Sequence, residues 1–216
     1  MKEDICSIPI NDIFSKGDGC PICRIFELLE KNAVEALLGA AKMEPEIRRL
    51  TNEKGFCPHH LEALMATKRK FQLALILETH LAEYKKASPR ELTAFAAKHA
   101  DECYICERVD FNFQRLLRNM FVLFETEPEF RERFAASPTL CFKHAKLCLS
   151  STAKKVIKKN YKAFETAVYD IVNRNVDELC GRLREFCEMY DYKNTEKAGL
   201  NNAAQSSVDH AVEFLK

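Results

Sequence analysis

Apolar residues recur along this chain at intervals of three and four, the spacing that gathers them on one face of an α-helix. Ile25, Leu28, Leu29 and Val34 keep that spacing after Pro21, which stands where a first helical residue would, so a helix is predicted from Pro21 to about Ala41. Pro45 opens a short helix, Glu46 to Asn52, which Gly55 ends. Pro58 opens the next, carried toward Ala87 by Leu61, Leu64, Met65, Phe71, Leu75, Leu81 and Tyr84. Ser88-Pro89-Arg90-Glu91 has the form of a capping box with proline at the first helical position, so one helix is expected to stop there and another to start. The order then recurs, with a helix from about Tyr104 to Glu125, a short one near Glu129 to Ala135 and a long one after Cys141. No stretch of four to eight residues combines the alternation and turn signals of a strand. The pattern predicts an all-α fold. Beyond Asp191 it fades into a polar connection (Asn194, Thr195, Gly199, Asn201, Asn202, Gln205, Ser206, Ser207), with Val208 to Leu215 as a short terminal helix docking back on the body.

The recurrence extends to individual residues. Cys20-Pro21-Ile22-Cys23 is answered 83 residues later by Cys103-Tyr104-Ile105-Cys106, and Cys57-Pro58-His59-His60 is answered 84 residues later by Cys141-Phe142-Lys143-His144. Between them Glu44-Pro45-Glu46-Ile47-Arg48 matches Glu127-Pro128-Glu129-Phe130-Arg131 at an offset of 83. Three segments holding one offset with a single-residue slip point to a duplicated unit. The expected architecture is a helical bundle of two repeated units, residues 1–88 and 89–192, each with a Cys3His metal site, followed by a polar tail with a short terminal helix at 193–216.

Composition narrows the chemistry. With 216 residues, 47% hydrophobic and 30% charged, the chain can bury a sizeable core, and its 6 glycines and 7 prolines suit long helices. Thirty-three basic and 32 acidic residues nearly cancel, so no global field draws the protein to nucleic acid or anionic membrane. The opening Met1-Lys2-Glu3-Asp4-Ile5-Cys6 lacks the apolar core of a signal peptide, and no apolar run is long enough to span a bilayer. The expected location is the cytoplasm, where ten cysteines stay reduced and their spacing reads as metal-ligating rather than as a disulfide framework.

Zinc takes four ligands in a tetrahedron and prefers thiolate and imidazole in structural sites. A CxxC or CxxH pair at a helix N-terminus supplies two corners, and the unpaired N–H groups there favour the thiolate. Only His60 and His144 are matched between the copies, which leaves His59 as a bystander or a group supporting a ligand. The candidate ligands are Cys20, Cys23, Cys57 and His60 for one ion and Cys103, Cys106, Cys141 and His144 for the other. Pairing within each repeat is favoured because the shorter loop costs less entropy to close. The alternative sets each CxxC against the other copy's CxxH. Cys6, Cys148, Cys180 and Cys187 read as small core residues, the last two sharing a helix face.

Closed four-ligand sites favour two structural zinc ions in an interaction or scaffolding protein with a protein partner. Iron–sulfur clusters for electron transfer or redox sensing are one alternative, although the spacings match no ferredoxin pattern. Enzyme activity has no advocate among the motifs: neither His60 nor His144 is followed by the HxE glutamate of a zinc deaminase, and no GxSxG, P-loop, HExxH or GxGxxG occurs. A nucleic-acid-binding zinc protein is the remaining alternative. Lys154, Lys155, Lys158, Lys159 and Lys162 place several lysines on one helical face, and Lys68-Arg69-Lys70 forms a smaller cluster, but such runs are usually solvated and no C₂H₂ spacing is present. His80, His99 and His210 stand alone in helical context, Asp191 and Tyr192 are placed to pin the tail, and Phe111, Phe113, Phe121, Phe124, Phe130 and Phe134 look like core of the second repeat.

Ile8-Pro9-Ile10-Asn11-Asp12-Ile13-Phe14, the Cys-Pro-Ile-Cys, Gly55-Phe56-Cys57-Pro58-His59-His60 and Tyr190-Asp191-Tyr192 together resemble an uncharacterised bacterial family found mostly in Gram-positive anaerobes. The resemblance covers nearly the whole chain, with the twin CxxC…CxxH as its most specific part. It implies a single-chain, soluble, metal-binding helical protein and supplies no activity. The second copy lacks the prolines of the first, which predicts a looser site or weaker metal binding there.

Overall fold

The computed structural model describes residues 7–85, 88, 91–94, 96–97, 102–190 and 202–216, and every regular element among them is helical. The all-α expectation therefore holds. In chain order the elements are α1 (Ile8–Lys16), α2 (Pro21–Leu38), a 3-10 turn (Ala41–Met43), α3 (Pro45–Lys54), α4 (Pro58–Ala66) and α5 (Lys70–Lys85). After these come α6 (Tyr104–Thr126), α7 (Pro128–Ala135), α8 (Phe142–Cys148), α9 (Ser151–Val156), α10 (Tyr161–Met189), α11 (Asn202–Gln205) and α12 (Ser207–Leu215). Pro21, Pro45, Pro58 and Pro128 each stand at the first helical residue, where the missing N–H would be unpaired in any case. At the other capping signal the Glu91 carboxylate accepts the Ser88 N–H at 2.7 Å, the back-reaching half of a capping box, and this bond holds the Glu91 carboxyl below its ordinary range.

Two predicted helices are interrupted. The helix expected from Pro58 to Ala87 is two, α4 and α5. Thr67 turns extended (ψ 151°) and its hydroxyl donates to the Leu64 carbonyl at 2.7 Å, offering the backbone a local alternative to the next turn of helix. The break resets the helical phase, so Leu73, Ile76 and His80 are buried in α5 while Phe71 and Leu81 face solvent. The long helix expected after Cys141 is three. Ser150 caps α9 by accepting the Ala153 N–H, and the Glu125 carboxylate accepts the backbone N–H groups of Lys159 and Asn160 just ahead of α10. Those amide donors, Lys159 first, hold Glu125 below the usual carboxylate range.

The chain forms two compact units, one of residues 1–25 and 116–216, the other of residues 26–115. Each unit is drawn from stretches other than the consecutive 1–88 and 89–192.

In the 26–115 unit, Val34, Leu37, Leu38, Phe56, Leu64, Leu73, Ile76, Tyr104, Ile105 and Val109 form the buried cluster, and the Phe26 and Phe113 rings meet edge to face at 5.7 Å. Helix α5 packs on α3 through polar groups as well: Nδ1 of the buried His80 lies 2.9 Å from the Asn52 carbonyl, and the Thr79 hydroxyl donates to Asn52 Oδ1. Gly55 ends α3 at φ 63°, ψ −152°, and its carbonyl accepts the Tyr104 N–H at 3.1 Å, which fixes the chain ahead of Cys57 beside the start of α6. That backbone region is essentially glycine's alone. Gly55→Ala is therefore expected to destabilise this unit by about 1–3 kcal/mol in chemical denaturation; an unchanged midpoint would show that the turn relaxes without cost.

The other unit is built on rings. Phe134 packs against Phe14, Phe124 and Phe164, with centroids 5.7, 5.3 and 5.0 Å away, and Phe130 and Phe121 extend the cluster. Of the phenylalanines read as core of the second repeat, Phe113, Phe121, Phe124, Phe130 and Phe134 are buried, whereas Phe111 is 65% exposed beneath the Arg115 guanidinium. Helix α12 packs on α8 and α10, and Phe214 meets Phe142 at 4.5 Å, so the terminal helix does dock. Cys148 is buried as expected. Cys180 and Cys187 are exposed instead, because the buried face of α10 runs through Phe164, Val168, Ile171 and Leu179. His210 is exposed, while Cys6, His99, Asp191, Tyr192 and most of the polar connection lie outside the described residues.

Candidate metal centres

Each ligand pair opens a helix in the same manner. Cys20, Cys57, Cys103 and Cys141 immediately precede α2, α4, α6 and α8. Their carbonyls accept the first helical N–H bonds, from Arg24 (3.1 Å), Leu61 (2.9 Å), Glu107 (3.1 Å) and Ala145 (2.8 Å). The second member of each pair (Cys23, His60, Cys106, His144) is the third residue of its helix. Side chains at the cap and the third position face one another across the first turn, the relation a capping box exploits. The Cys57 and Cys141 side chains make no capping bond to their own helices, and both sulfurs turn toward the partner pair.

All eight predicted residues come together in two groups of four, Cys20, Cys23, Cys141 and His144 in one and Cys57, His60, Cys103 and Cys106 in the other. Within each group the ligand atoms all lie within 4.8 Å of one another. In the first, His144 Nδ1 is 3.6, 3.2 and 3.1 Å from the sulfurs of Cys20, Cys23 and Cys141, and Cys23 Sγ is 3.8 Å from Cys141 Sγ. In the second, His60 Nδ1 is 3.2, 3.4 and 3.3 Å from Cys57, Cys103 and Cys106, and Cys57 Sγ is 3.7 Å from Cys106 Sγ. A zinc tetrahedron with ordinary bond lengths has edges of about 3.8 Å between sulfurs and about 3.5 Å between sulfur and nitrogen. A disulfide would need about 2.0 Å.

Favoured within-repeat pairing is thus overturned. Each CxxC meets the CxxH of the other copy, and the two closures are nested, 57–60 with 103–106 inside 20–23 with 141–144. The reason lies in the helices that follow each CxxC. Helix α2 has 18 residues, about 27 Å of axis, whereas the next helix, α3, has 10, about 15 Å, too short to retrace that length before Cys57. In the second copy the contrast is larger, 23 residues in α6 against 8 in α7. The entropy that favoured the shorter loops amounts to less than about 1 kcal/mol over both sites, too little to oppose rigid helices. One whole group lies in each compact unit.

The groups are largely buried and mutually perturbed. Three thiols this close cannot all ionise without a cation among them. In the first group, hydrogen bonds from Cys20 and Cys23 hold Cys141 far below the ordinary thiol range, while the bond to Cys141 pushes Cys23 far above it. Burial pulls His144 down, but its bonds to Cys141 and Cys20 prevail and raise it to about 9. In the second group burial, with the neighbouring Cys103 sulfur, pushes Cys106 up to about 12, and burial pulls His60 down.

Sequence spacing missed Glu30. Its Oε1 stands 3.2 Å from Nε2 of His60 and 2.8 Å from Nε2 of His59, so His59 belongs to the surroundings of the ligand His60 rather than to the Cys3His group. A carboxylate on α2 has no motif relation to residue 60; only packing joins them.

An all-helical protein with two nested Cys3His clusters is what the fold and the sites define. The chain belongs to a family of unknown function, DUF6062, whose model matches residues 1–216. No curated protein and no solved structure matches it significantly. No described helix is long and apolar enough to cross a membrane.

Proposed function

We propose that the protein binds two zinc ions, one in each Cys3His group, as structural clamps of a helical scaffold that works by contacting another protein. The convergence of four donor atoms within 4.8 Å in each group carries this reading. Four protein ligands fill zinc's shell, whereas catalytic zinc keeps a position for water or substrate. An iron–sulfur cluster distributes its ligands over separate irons, so donors gathered about one centre favour a single ion. Two helix N-termini converge on each group, and their unpaired N–H groups offset the single negative charge of zinc with three thiolates and a neutral imidazole. A nucleic-acid role loses its helical face: α9 ends at Val156, Ile157 is buried, and Lys159 precedes α10, so the lysines of 154–162 do not share one helix.

Elemental analysis of protein purified without oxygen or added metal is expected to give two zinc per chain and no sulfide; iron with acid-labile sulfide, or no metal, would sink the reading. Exchange with cadmium-113 then tests the grouping. Two resonances are expected, Cys20→Ser and Cys141→Ser perturbing one and Cys57→Ser and Cys103→Ser the other. Cys20 and Cys57 acting on the same resonance would restore within-repeat pairing.

Proton release follows from the same chemistry. In the ion-free chain Cys106 titrates at about 12 and is protonated at neutral pH, so loading must expel its proton. Zinc affinity is expected to rise as pH increases from 6 to 8, and a weakly buffered solution to acidify on loading. An affinity independent of pH would mean that the thiols are not the ligands.

A further inference from the structure

Beside the Cys3His group of residues 57–106 lies a second constellation of metal-ligand type, Glu30, His59 and His60, whose ligand atoms all lie within 4.8 Å of one another, with Glu30 Oε1 2.8 Å from His59 Nε2 and 3.2 Å from His60 Nε2. We propose that these three atoms form an auxiliary, exchangeable site for a divalent ion of the zinc–copper kind, with the His60 imidazole bridging it to the Cys3His ion. The inference rests on the reading of the Cys3His groups as metal sites.

His60 carries the argument. Its Nδ1 faces the three sulfurs, and its Nε2 points the other way, fully buried and without a hydrogen-bond partner. Glu30 Oε1 is only 3.2 Å from Nε2, yet no hydrogen bond joins the two atoms. An oxygen this close to a ring nitrogen, with no hydrogen bond between them, stands at the separation of two ligands of one ion. The tetrahedral edge for nitrogen and oxygen at ordinary zinc distances is about 3.3 Å. His59 Nε2, now hydrogen-bonded to the same oxygen at 2.8 Å, would open by about half an ångström to become the third ligand at that edge length.

Two imidazole nitrogens and one carboxylate oxygen suit zinc or copper and leave a position for water. Charge favours the second ion as well, since zinc with three thiolates is a net anion and Glu30 adds another negative charge beside it. Exposure is graded across the site, from His59 at 67% through Glu30 at 23% to His60 at 3%, so the ion can enter and leave from solvent. On binding, the proton on His60 Nε2 leaves to solvent and the ring becomes an imidazolate bridge. No electrons move.

Equilibrium dialysis against micromolar zinc, on the full chain already holding its two Cys3His ions, provides the test. Three zinc per chain are expected, with His59→Ala and Glu30→Gln each returning the count to two while both cadmium-113 resonances of the Cys3His sites persist and report folding. Two zinc in the unaltered chain would overturn the auxiliary site and leave the Cys3His reading standing. Three in the variants would also overturn it, by placing the third ion elsewhere. Fewer than two in the unaltered chain would overturn the Cys3His reading first.

Discussion

Cys141→Ser is expected to expel the ion from the unit of residues 1–25 and 116–216 and to destabilise that unit by about 5 kcal/mol or more. Its magnitude follows from two independent considerations. Structural zinc in small peptides supplies about 10–16 kcal/mol of apparent binding free energy, most of which is lost with one ligand of four. On the zinc reading proposed above, the ion would also act as a cross-link, joining residues 118 to 124 apart in sequence. Closing a loop of about 100 residues is worth about 4.7 kcal/mol in the chain-entropy model. A domain holds only about 5–15 kcal/mol in all, so this unit should be largely unfolded at room temperature or melt far below its parent. Denaturation in excess zinc, with metal counted on the same samples, checks it, and one zinc should remain, held by residues 57–106. Cys148→Ala gives the contrast. Cys148 is buried on the same short helix as His144 but lies outside the ligand set, and its variant should retain both ions. Equal zinc content and equal midpoints for Cys141→Ser and its parent would refute the clamp.

That these eight residues would be brought into clusters was legible in the chain, and so was their place at helix N-termini, because both facts live within four residues of sequence. A cysteine followed by proline, with a second ligand three residues on, states the cap, the first turn and the shared side together. Which pair meets which was not legible, because it depends on how far intervening helices carry the chain. Loop entropy treats the 18 residues of α2 as flexible, and a helix is not. Glu30 was hidden for a related reason: it approaches residue 60 only after α2 and α4 have packed. Breaks at Thr67 and Ser150 escaped the periodicity reading because apolar spacing persists across them. There the decisive signal is a hydroxyl bonding its own backbone. Phe111 shows the limit of counting rings, since composition says core while its position on α6 faces solvent.

The family match and the paired clusters leave the scaffold itself to be tested, and Phe134→Ala is the variant that tests it without touching a ligand. Phe134 is fully buried, and its ring meets Phe14 from α1, Phe124 from α6 and Phe164 from α10. Truncation removes apolar transfer free energy and leaves a cavity that four helix segments cannot collapse together, a loss of about 3–5 kcal/mol. Each aromatic pairing adds about 0.5–1.5 kcal/mol beyond area, so Phe14→Ala and Phe134→Ala together should cost less than their sum. That shortfall would show that α1 is held by this cluster as well as by the metal ligands that follow it. Both proposed zinc ions should stay bound under native conditions, because Phe134 belongs to neither donor group, while the denaturation midpoint falls. Phe111→Ala, at an exposed position, should leave the midpoint within about 0.5 kcal/mol of its parent. Were Phe134→Ala as mild as Phe111→Ala, the metal would be the main support of this unit. The ion-free chain would then be unfolded there even with its aromatic core intact.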